Sequence, residues 1–415
     1  MEDMVPKIAR EVENYAFPKD EYKVPEDDEI GLLEKGLKDD LDKIVQKDLV
    51  DLMYGYKENF IGDKFKVPMP ELHAEHLKDV AYLLDPKTKA NTKETELKYQ
   101  YYSTVHNKKR KFPFFAACNL NGAAFLTAGR NGVFVTDPRI AKEDQCGDEL
   151  YTFKYKGKAY TEFCHRGHMS KREDPQWADK ANLKIYYKSD PPADANAAPE
   201  TRDKAVLTSI AERGARLTFF FTNAIPQHGH LNGVVWRGLE DYIMAVATNN
   251  KKAQGPDLYK INIITGPVFQ DNDPVFPLEE EKTNGKKNGL QVPTLFWKVV
   301  YFKKEDGKLY HIGFLMGQEE LLKTEFERLD GLKAKDIKEA ADKTIPPFEG
   351  YKNKAVFQVK ISFIEALTKL KFHPAIDPYK DSRAAKEIIE KVQLAKKGIT
   401  GEDDEPAYSL DGLSI

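Results

Sequence analysis

The stretch LFWKVVYF, residues 295–302, is dominated by apolar, aromatic and β-branched residues. A run of this length and composition is typical of a buried β-strand. Two similar runs lie near it in the sequence, KINIITGPVF at 260–269 and HIGFLM at 311–316. We therefore predict that these three segments are strands in the interior of the protein.

Further strand patterns occur earlier in the chain, at residues 101–105, 112–120, 123–127 and 217–221. Asn121-Gly122 separates two of them, and this dipeptide is a strong signal for a hairpin turn. In contrast, WRGLEDYIMAV at 236–246 places apolar residues on one face of a helix. Because strands and helices do not alternate strictly, we predict an α+β fold with a largely antiparallel central sheet flanked by helices.

The first 60 residues are highly charged, and apolar residues recur with three-to-four spacing from Leu32 to Leu49. This pattern predicts an amphipathic helix used for packing or oligomerisation. We expect three parts in the chain: a charged helical extension at 1–60, a main domain at 62–375, and a charged helix with an acidic tail at 376–415.

Smaller features follow from local composition. The Pro- and Ala-rich segment 191–200 predicts a surface loop, and the Asn- and Gly-rich segment 284–290 predicts an exposed turn. Helices are predicted at about 361–371 and 380–397.

Composition limits the class of protein only loosely. The chain has 415 residues, 32% of them charged, with a net charge of −3. Global charge therefore gives no support to nucleic-acid binding, and any attraction to phosphate must come from local patches such as 108–111 and Lys171-Arg172.

Three cysteines with no CxxC pair argue against a structural zinc site and favour a reducing compartment. The N-terminus does not resemble a signal peptide, and no apolar run has the roughly 20 residues of a membrane span. These features predict a cytoplasmic protein without membrane association. It would be secreted or periplasmic if a leader has been removed.

Two clusters carry most of the polar residues that could do chemistry, CHRGHMSKRED at 164–174 and TNAIPQHGHLN at 222–232. Phosphodiester hydrolysis needs a base for water, a cation beside the phosphate and help for the leaving oxygen. The clusters supply a candidate base in His168, a candidate cation ligand in Asn232 and a candidate phosphate contact in Arg166.

Each residue also has a simpler interpretation. A single buried histidine is more often a hydrogen-bonded core residue than a catalyst. Asn232 would serve as a helix N-cap, and Glu240 as a solvent-facing acid on the helix. A zinc site is an alternative that would use His165, His168, His228 and His230.

Taken together, the clusters resemble the DNA/RNA non-specific endonuclease family of the ββα-metal superfamily, which includes Serratia-type nucleases and endonuclease G. The matching features are RGH at 166–168, NAIPQ at 223–227, Asn232, Trp236 and LE at 239–240. Supporting similarity lies at 108–122, 136–140, 265–269 and 292–299. The resemblance covers roughly 62–375 and implies a ββα-metal nuclease core.

The resemblance implies roles for individual residues. His168 is the general base, Asn232 is the direct protein ligand of a Mg²⁺ ion, and Glu240 holds the water shell of that ion. Asn223 supports the site next to the base. The products carry 5′-phosphates.

Substrate contacts are implied as well. Arg166 contacts phosphate, and Arg130 is the nearest candidate for a second arginine of the family. Lys171, Arg172 and His165 are further candidates for substrate binding. The implied substrate is DNA and RNA, bound through phosphates without sequence preference.

The sequence departs from the family pattern at His165, where the motif usually begins with Asp. A cationic group in place of a carboxylate would lower the affinity for Mg²⁺ or favour Mn²⁺. An alternative is therefore a nucleic-acid-binding protein that has lost turnover. A third hypothesis is a small-molecule phosphodiesterase or a zinc hydrolase. A homodimer and an inhibitor protein are further expected partners.

Overall fold

The computed structural model describes residues 27–127, 129, 132–148, 151–155, 158–161, 164–229, 231–248, 259–271, 273, 275–277, 289–318, 356–377 and 386–387. The helices are α1 (Asp27–Ile44), α2 (Ala74–Leu77), α3 (Leu183–Ser189), α4 (Pro199–Arg216), α5 (Arg237–Thr248) and α6 (Ile361–Thr368).

The strands are β1 (Glu71–Leu72), β2 (Glu96–Lys98), β3 (Tyr102–Asn107), β4 (Phe112–Asn121), β5 (Thr152–Tyr155), β6 (Lys158–Thr161), β7 (His165–His168), β8 (Ala224–Gln227), β9 (Lys260–Val268), β10 (Val275–Pro277), β11 (Gly289–Gln291), β12 (Leu295–Lys303), β13 (Leu309–Gly317), β14 (Val356–Val359), β15 (Leu370–Lys371) and β16 (Lys386–Glu387).

Eight of the strands form one sheet in the order β16-β14-β13-β12-β9-β4-β3-β2, and every pairing in it is antiparallel. Strand β12 lies inside this sheet between β9 and β13, as its apolar composition requires. The predicted α+β fold with a largely antiparallel central sheet is confirmed.

The two faces of the sheet are covered by separate hydrophobic cores. Along β12, Phe296 and Val300 belong to the larger core, whereas Trp297 and Val299 belong to the smaller one. This division follows from the alternation of side chains along a strand. Helices α1, α4 and α5 contribute to the larger core, and α6 contributes to the smaller one.

Helix α1 confirms the amphipathic pattern predicted near the N-terminus. Its residues Leu37, Leu41 and Ile44 are buried in the larger core, and Arg216 of α4 donates to Asp40 at 3.0 Å. The apolar stripe therefore packs against the main body of the protein. The division of the chain at 1–60, 62–375 and 376–415 stays a prediction.

The hairpin predicted at Asn121-Gly122 is wrong. Asn121 ends β4, and Gly122 begins a 3₁₀ turn at Gly122–Ala124. A Cβ at Gly122 would lie 1.9 Å from the carbonyl oxygen of Ala247 in α5. The glycine is thus needed for a close approach between the sheet and α5 rather than for a hairpin turn.

The strand predicted at 217–221 is also wrong. Leu217 caps α4, and Phe221 begins a 3₁₀ turn at Phe221–Asn223. The run is buried, and a single parallel bridge joins Phe220 to Val135. A short apolar run can be buried at the end of a helix as well as in a sheet, which composition alone does not distinguish.

Three helices were not predicted: the short α2 and the longer α3 and α4. Helix α4 has many charged residues, and its buried stripe is formed by Val206, Leu207 and Ile210. Pro199 lies in its first turn, where a missing N–H costs nothing. The loop predicted at 191–200 is therefore a loop only up to this proline.

At the C-terminal side, the helix predicted at 361–371 ends at Thr368, because Lys369 adopts a left-handed conformation with φ 54°. Within the helix predicted at 380–397, Lys386–Glu387 is a strand that pairs with Phe357–Gln358, so the prediction is wrong there. The rest of that segment lies outside the described residues, as do residues 284–288 of the predicted turn. Among the helices described, none has the length and hydropathy to cross a membrane.

Candidate active site

The two polar clusters of the sequence meet in a short two-stranded antiparallel sheet of β7 and β8. His165 lies opposite Gln227, and His168 lies opposite Ala224. A Cβ at Gly167 would lie 2.1 Å from Oε1 of Gln227, so the absence of a side chain allows β7 and β8 to pair closely. This sheet brings together segments more than 50 residues apart in the sequence.

Asn232 lies in a single π-helical turn, Leu231–Trp236, that leads directly into α5. Its Nδ2 is 3.4 Å from Nδ1 of His165, and its backbone N–H donates to the carbonyl of His228. The N-cap interpretation of Asn232 is therefore wrong, because the residue is inside a helical turn that precedes α5. Among the predicted site residues, Asn232 and His165 are brought into direct contact.

His168 is in a different environment from His165. Its ring lies 4.8 Å from that of Phe134 and 5.1 Å from that of Phe219, measured between centroids. Side chains three residues apart leave a strand on opposite faces. Strand β7 therefore directs His165 towards Asn232 and His168 towards these two phenylalanines.

Asn223 joins the end of β7 to the end of α4. Its Oδ1 accepts from the backbone N–H of Ser170 at 2.9 Å, and its Nδ2 donates to the carbonyls of Ser170 and Thr218 at 3.0 Å. The side chain is fully buried. It therefore holds the chain just after His168 in place, and its supporting role in a catalytic site stays a prediction.

We predict that Asn223→Ala lowers the free energy of unfolding by roughly 2–4 kcal/mol, because it leaves three buried backbone groups without their partner. Urea denaturation followed by circular dichroism measures this change. Asn59→Ala, at an exposed position, is the control and should stay close to wild type. Equal stability of the two variants would contradict the structural role of Asn223.

Glu240 lies in the first turn of α5 and points into the protein. Its Oε1 is 3.3 Å from Nζ of Lys298, and the two side chains are 9% and 1% exposed. The interpretation of Glu240 as a solvent-facing acid is therefore wrong. If Glu240 also held the water shell of a metal ion, as predicted, its carboxylate would have to bind those waters and the ammonium group of Lys298 at the same time.

The basic residues predicted to bind substrate are held by carboxylates. Lys171 donates to Asp241 at 2.7 Å, and Arg172 donates to Glu173 at 2.7 Å. The side chain of Lys171 is only 13% exposed. These pairings oppose the predicted contacts of Lys171 and Arg172 with phosphate.

Arg166 is held in the same way. Its guanidinium binds the carboxylate of Asp148 through Nε and Nη2 and lies over the ring of Tyr151, 4.9 Å from the centroid. The contact of Arg166 with phosphate stays a prediction. It would require the guanidinium to bind a phosphate as well as the carboxylate of Asp148. Arg130 lies outside the described residues.

Burial sets the charge state of the acids around Lys298. It raises the pKa of Glu240 to about 7, although Lys298 and Lys171 act in the opposite direction. It also raises the pKa of Asp174 to about 6, against the same two lysines. Burial alone would lower the pKa of Lys171, but Glu240, Glu173 and Asp241 outweigh it and raise that pKa to about 12.

Asp174 provides a test of this electrostatic balance. Because its pKa in the folded state lies above the ordinary value of 3.8, its ionisation opposes folding. The stability gained from the protonated carboxyl is fully present below the ordinary pKa of 3.8 and is lost as the pH rises through the folded-state pKa of about 6. Asp174→Asn should therefore raise the stability at neutral pH by on the order of 1–3 kcal/mol and reduce the pH dependence.

Denaturant titrations of wild type and Asp174→Asn across this pH window measure the effect. The amide oxygen of asparagine can still accept from the backbone N–H of Lys171, which Asp174 binds at 2.9 Å. A wild-type slope of stability against pH in Asp174→Asn would contradict the assignment.

The residues present fit one kind of metal site. If Nδ2 of Asn232 donates to Nδ1 of His165, then Oδ1 is the amide atom that faces a cation. An amide oxygen is a hard ligand suited to a hydrated divalent ion such as Mg²⁺. In the described part of the chain, no three His, Cys, Asp or Glu side chains are grouped as metal ligands. The predicted zinc alternative thus has no support from these residues, and His230 lies outside them.

Sequence reasoning missed Lys298, Asp148 and Asp241, which hold the side chains of Glu240, Arg166 and Lys171. For Lys298 a signal existed, because a charged residue in the middle of a buried strand requires a partner. For the two aspartates no sequence signal existed, since they lie on distant or solvent-facing segments.

Comparison with known proteins gives the family of the chain. A family model described as DNA/RNA non-specific endonuclease matches residues 79–378, which include β7, β8 and α5. The curated "Uncharacterized protein y4fB" of Sinorhizobium fredii (strain NBRC 101917 / NGR234) is 28% identical over 282 residues, 66% of this chain and 34% of that protein. The chain thus spans about a third of the length of this relative.

A solved structure, described as the crystal structure of the EndoG/EndoGI complex and the mechanism of EndoG inhibition, contains a chain 16% identical to this one. The similarity covers 68% of this chain and 86% of that chain, with a TM-score of 0.39. The family model, in contrast, covers more than half of the sequence. The chain therefore belongs to the DNA/RNA non-specific endonuclease family.

Proposed function

We propose that this chain is a metal-dependent endonuclease that hydrolyses phosphodiester bonds of DNA and RNA without sequence preference. The observation that supports the proposal is the two-stranded β7–β8 sheet in a chain of this family, which places the end of the RGH motif beside Asn223 and His165 beside Asn232.

In the proposed mechanism, His168 takes a proton from the attacking water. A neutral imidazole can do this near pH 7. Contacts with Phe134 and Phe219 restrict the orientation of the ring. The hydrogen bonds of Asn223 to Ser170 hold the backbone two residues further along.

Asn232 is the proposed protein ligand of the cation, Mg²⁺ or Mn²⁺, through its amide oxygen. A bound divalent cation would supply positive charge next to the scissile phosphate. His165 holds the amide of Asn232 from the nitrogen side, where its Nδ1 is 3.4 Å away. The proposed products carry 5′-phosphate and 3′-hydroxyl ends.

A second candidate, a nucleic-acid-binding protein of the same fold without turnover, is favoured by this same contact. His165 occupies the position where the family motif usually has Asp. If its imidazole prevents Asn232 from holding a cation, the protein would bind nucleic acid without cleaving it. His165→Asp would then gain activity.

A cleavage assay on plasmid DNA and on RNA, with titrations of Mg²⁺ and Mn²⁺ and with a chelator control, tests the proposal. We expect both substrates to be cut in a metal-dependent manner, with 5′-phosphates on the fragments. Intact substrates at every metal concentration would reject the proposal. Binding in a filter assay, together with cleavage by His165→Asp alone, would establish the second candidate.

A further inference from the structure

Lys298 lies in the middle of β12 on the face that carries Phe296 and Val300. Its side chain is 1% exposed. A buried ammonium group is costly unless its charge is compensated, and an apolar residue of similar volume would often be at least as stabilising. The presence of lysine here therefore calls for an explanation beyond core packing.

Lys298 contacts both elements that meet at the junction between the π-helical turn Leu231–Trp236 and α5. Its Nζ is 3.3 Å from Oε1 of Glu240 in the first turn of α5. The same Nζ lies 4.8 Å from the ring centroid of Trp236, the last residue of the π-helical turn that contains Asn232. A single ammonium group therefore binds the turn and the helix that follows it.

The junction has a second attachment on another side. Lys171, shortly after β7, donates to Asp241 at 2.7 Å, and Asp241 is the neighbour of Glu240 in α5. The first turn of α5 is thus held by one lysine from the central sheet and by another from the segment after β7. Their directed contacts fix the position of the helix more narrowly than apolar packing would.

We propose that Lys298 is a positioning residue, which fixes the junction between the π-helical turn and α5 and thereby sets the place of Asn232. The inference rests on the proposed function only in taking Asn232 as the metal ligand. It assigns Glu240 to this attachment rather than to direct contact with the cation.

Hydrogen–deuterium exchange of peptides from 231–248 tests the attachment without any need for activity. We expect faster exchange in Lys298→Met than in wild type, whereas Lys298→Arg keeps most of the protection. Lys57→Met is the matched control, because Lys57 is a part-buried lysine whose Nζ donates to Val50 and Tyr54, outside this junction. It should leave exchange in 231–248 as in wild type.

Mn²⁺ binding, measured by the loss of the free-ion electron paramagnetic resonance signal, tests the positioning. Substituting a residue that supports a metal ligand typically lowers the metal affinity by roughly 10–100-fold. We expect a loss of this size in Lys298→Met, and near wild-type affinity in Lys298→Arg and Lys57→Met. Faster exchange with unchanged Mn²⁺ affinity would overturn the positioning role and leave Lys298 as a stabilising residue alone.

Should Lys298→Met fail to fold, the double variant Lys298→Met/Glu240→Leu decides by the same exchange measurement, because it removes both members of the buried Lys298–Glu240 pair. Wild-type exchange in that variant would overturn the proposal. If wild-type protein bound no Mn²⁺, the proposed function would fail, whereas the exchange data would still decide whether Lys298 holds the junction.

Discussion

Replacing His168 with alanine is expected to reduce kcat/KM for DNA and RNA cleavage by ~10²–10⁴-fold, the usual contribution of a general base. The variant should still bind nucleic acid and Mn²⁺, since the contact between Asn232 and His165 does not involve residue 168. Initial rates on a fluorogenic oligonucleotide measure the loss. The result would locate the base on the face of β7 that packs against Phe134 and Phe219.

His73→Ala is the matched control for this experiment. The imidazole of His73 is 61% exposed at the start of the short helix α2, outside the β7–β8 sheet. Wild-type rates are expected for it. If His168→Ala also retained wild-type rates while His165→Ala lost them, the base would be His165, and the assignment of His168 would be wrong.

Asn232→Ala is expected to abolish cleavage by removing the proposed ligand of the cation. The loss of Mn²⁺ affinity should exceed the roughly 10–100-fold that follows from mutating residues that only support a ligand. Asn232→Asp keeps an oxygen ligand and adds a negative charge, so it should retain Mn²⁺ binding. Isothermal titration calorimetry separates the two variants.

A structural collapse of the π-helical turn would imitate the loss of a ligand, so the thermal stability of Asn232→Ala must be compared with that of wild type. The residue is half-buried, and a modest change is expected. Unchanged Mn²⁺ affinity in a folded Asn232→Ala protein would reject Asn232 as the ligand.

The central sheet could be predicted because its strands carry a strong local signal. In β12 and β9, apolar and β-branched residues are concentrated over nine residues each. The hairpin at Gly122 was predicted wrongly for a physical reason. This glycine serves a contact with Ala247 of α5, which is distant in sequence and invisible to local turn rules.

The pairing of the two polar clusters could be predicted from the family pattern, whereas the electrostatics of the site could not. Arg166, Lys171 and Arg172 have the composition of a phosphate-binding patch. Asp148 and Asp241, the partners of Arg166 and Lys171, reach these two side chains only through the tertiary fold. The same holds for Glu240, whose side chain is directed to Lys298 on the sheet rather than to solvent.

A crystal structure of the protein grown with Mn²⁺, with diffraction data collected at the manganese absorption edge, tests directly whether Asn232 is the protein ligand of the cation. We predict an anomalous difference peak within bonding distance of Oδ1 of Asn232, on the side of the amide away from His165, with Lys298 still bound to Glu240. A peak bonded instead to the histidines or to Glu240, with Asn232 outside its coordination sphere, would contradict it.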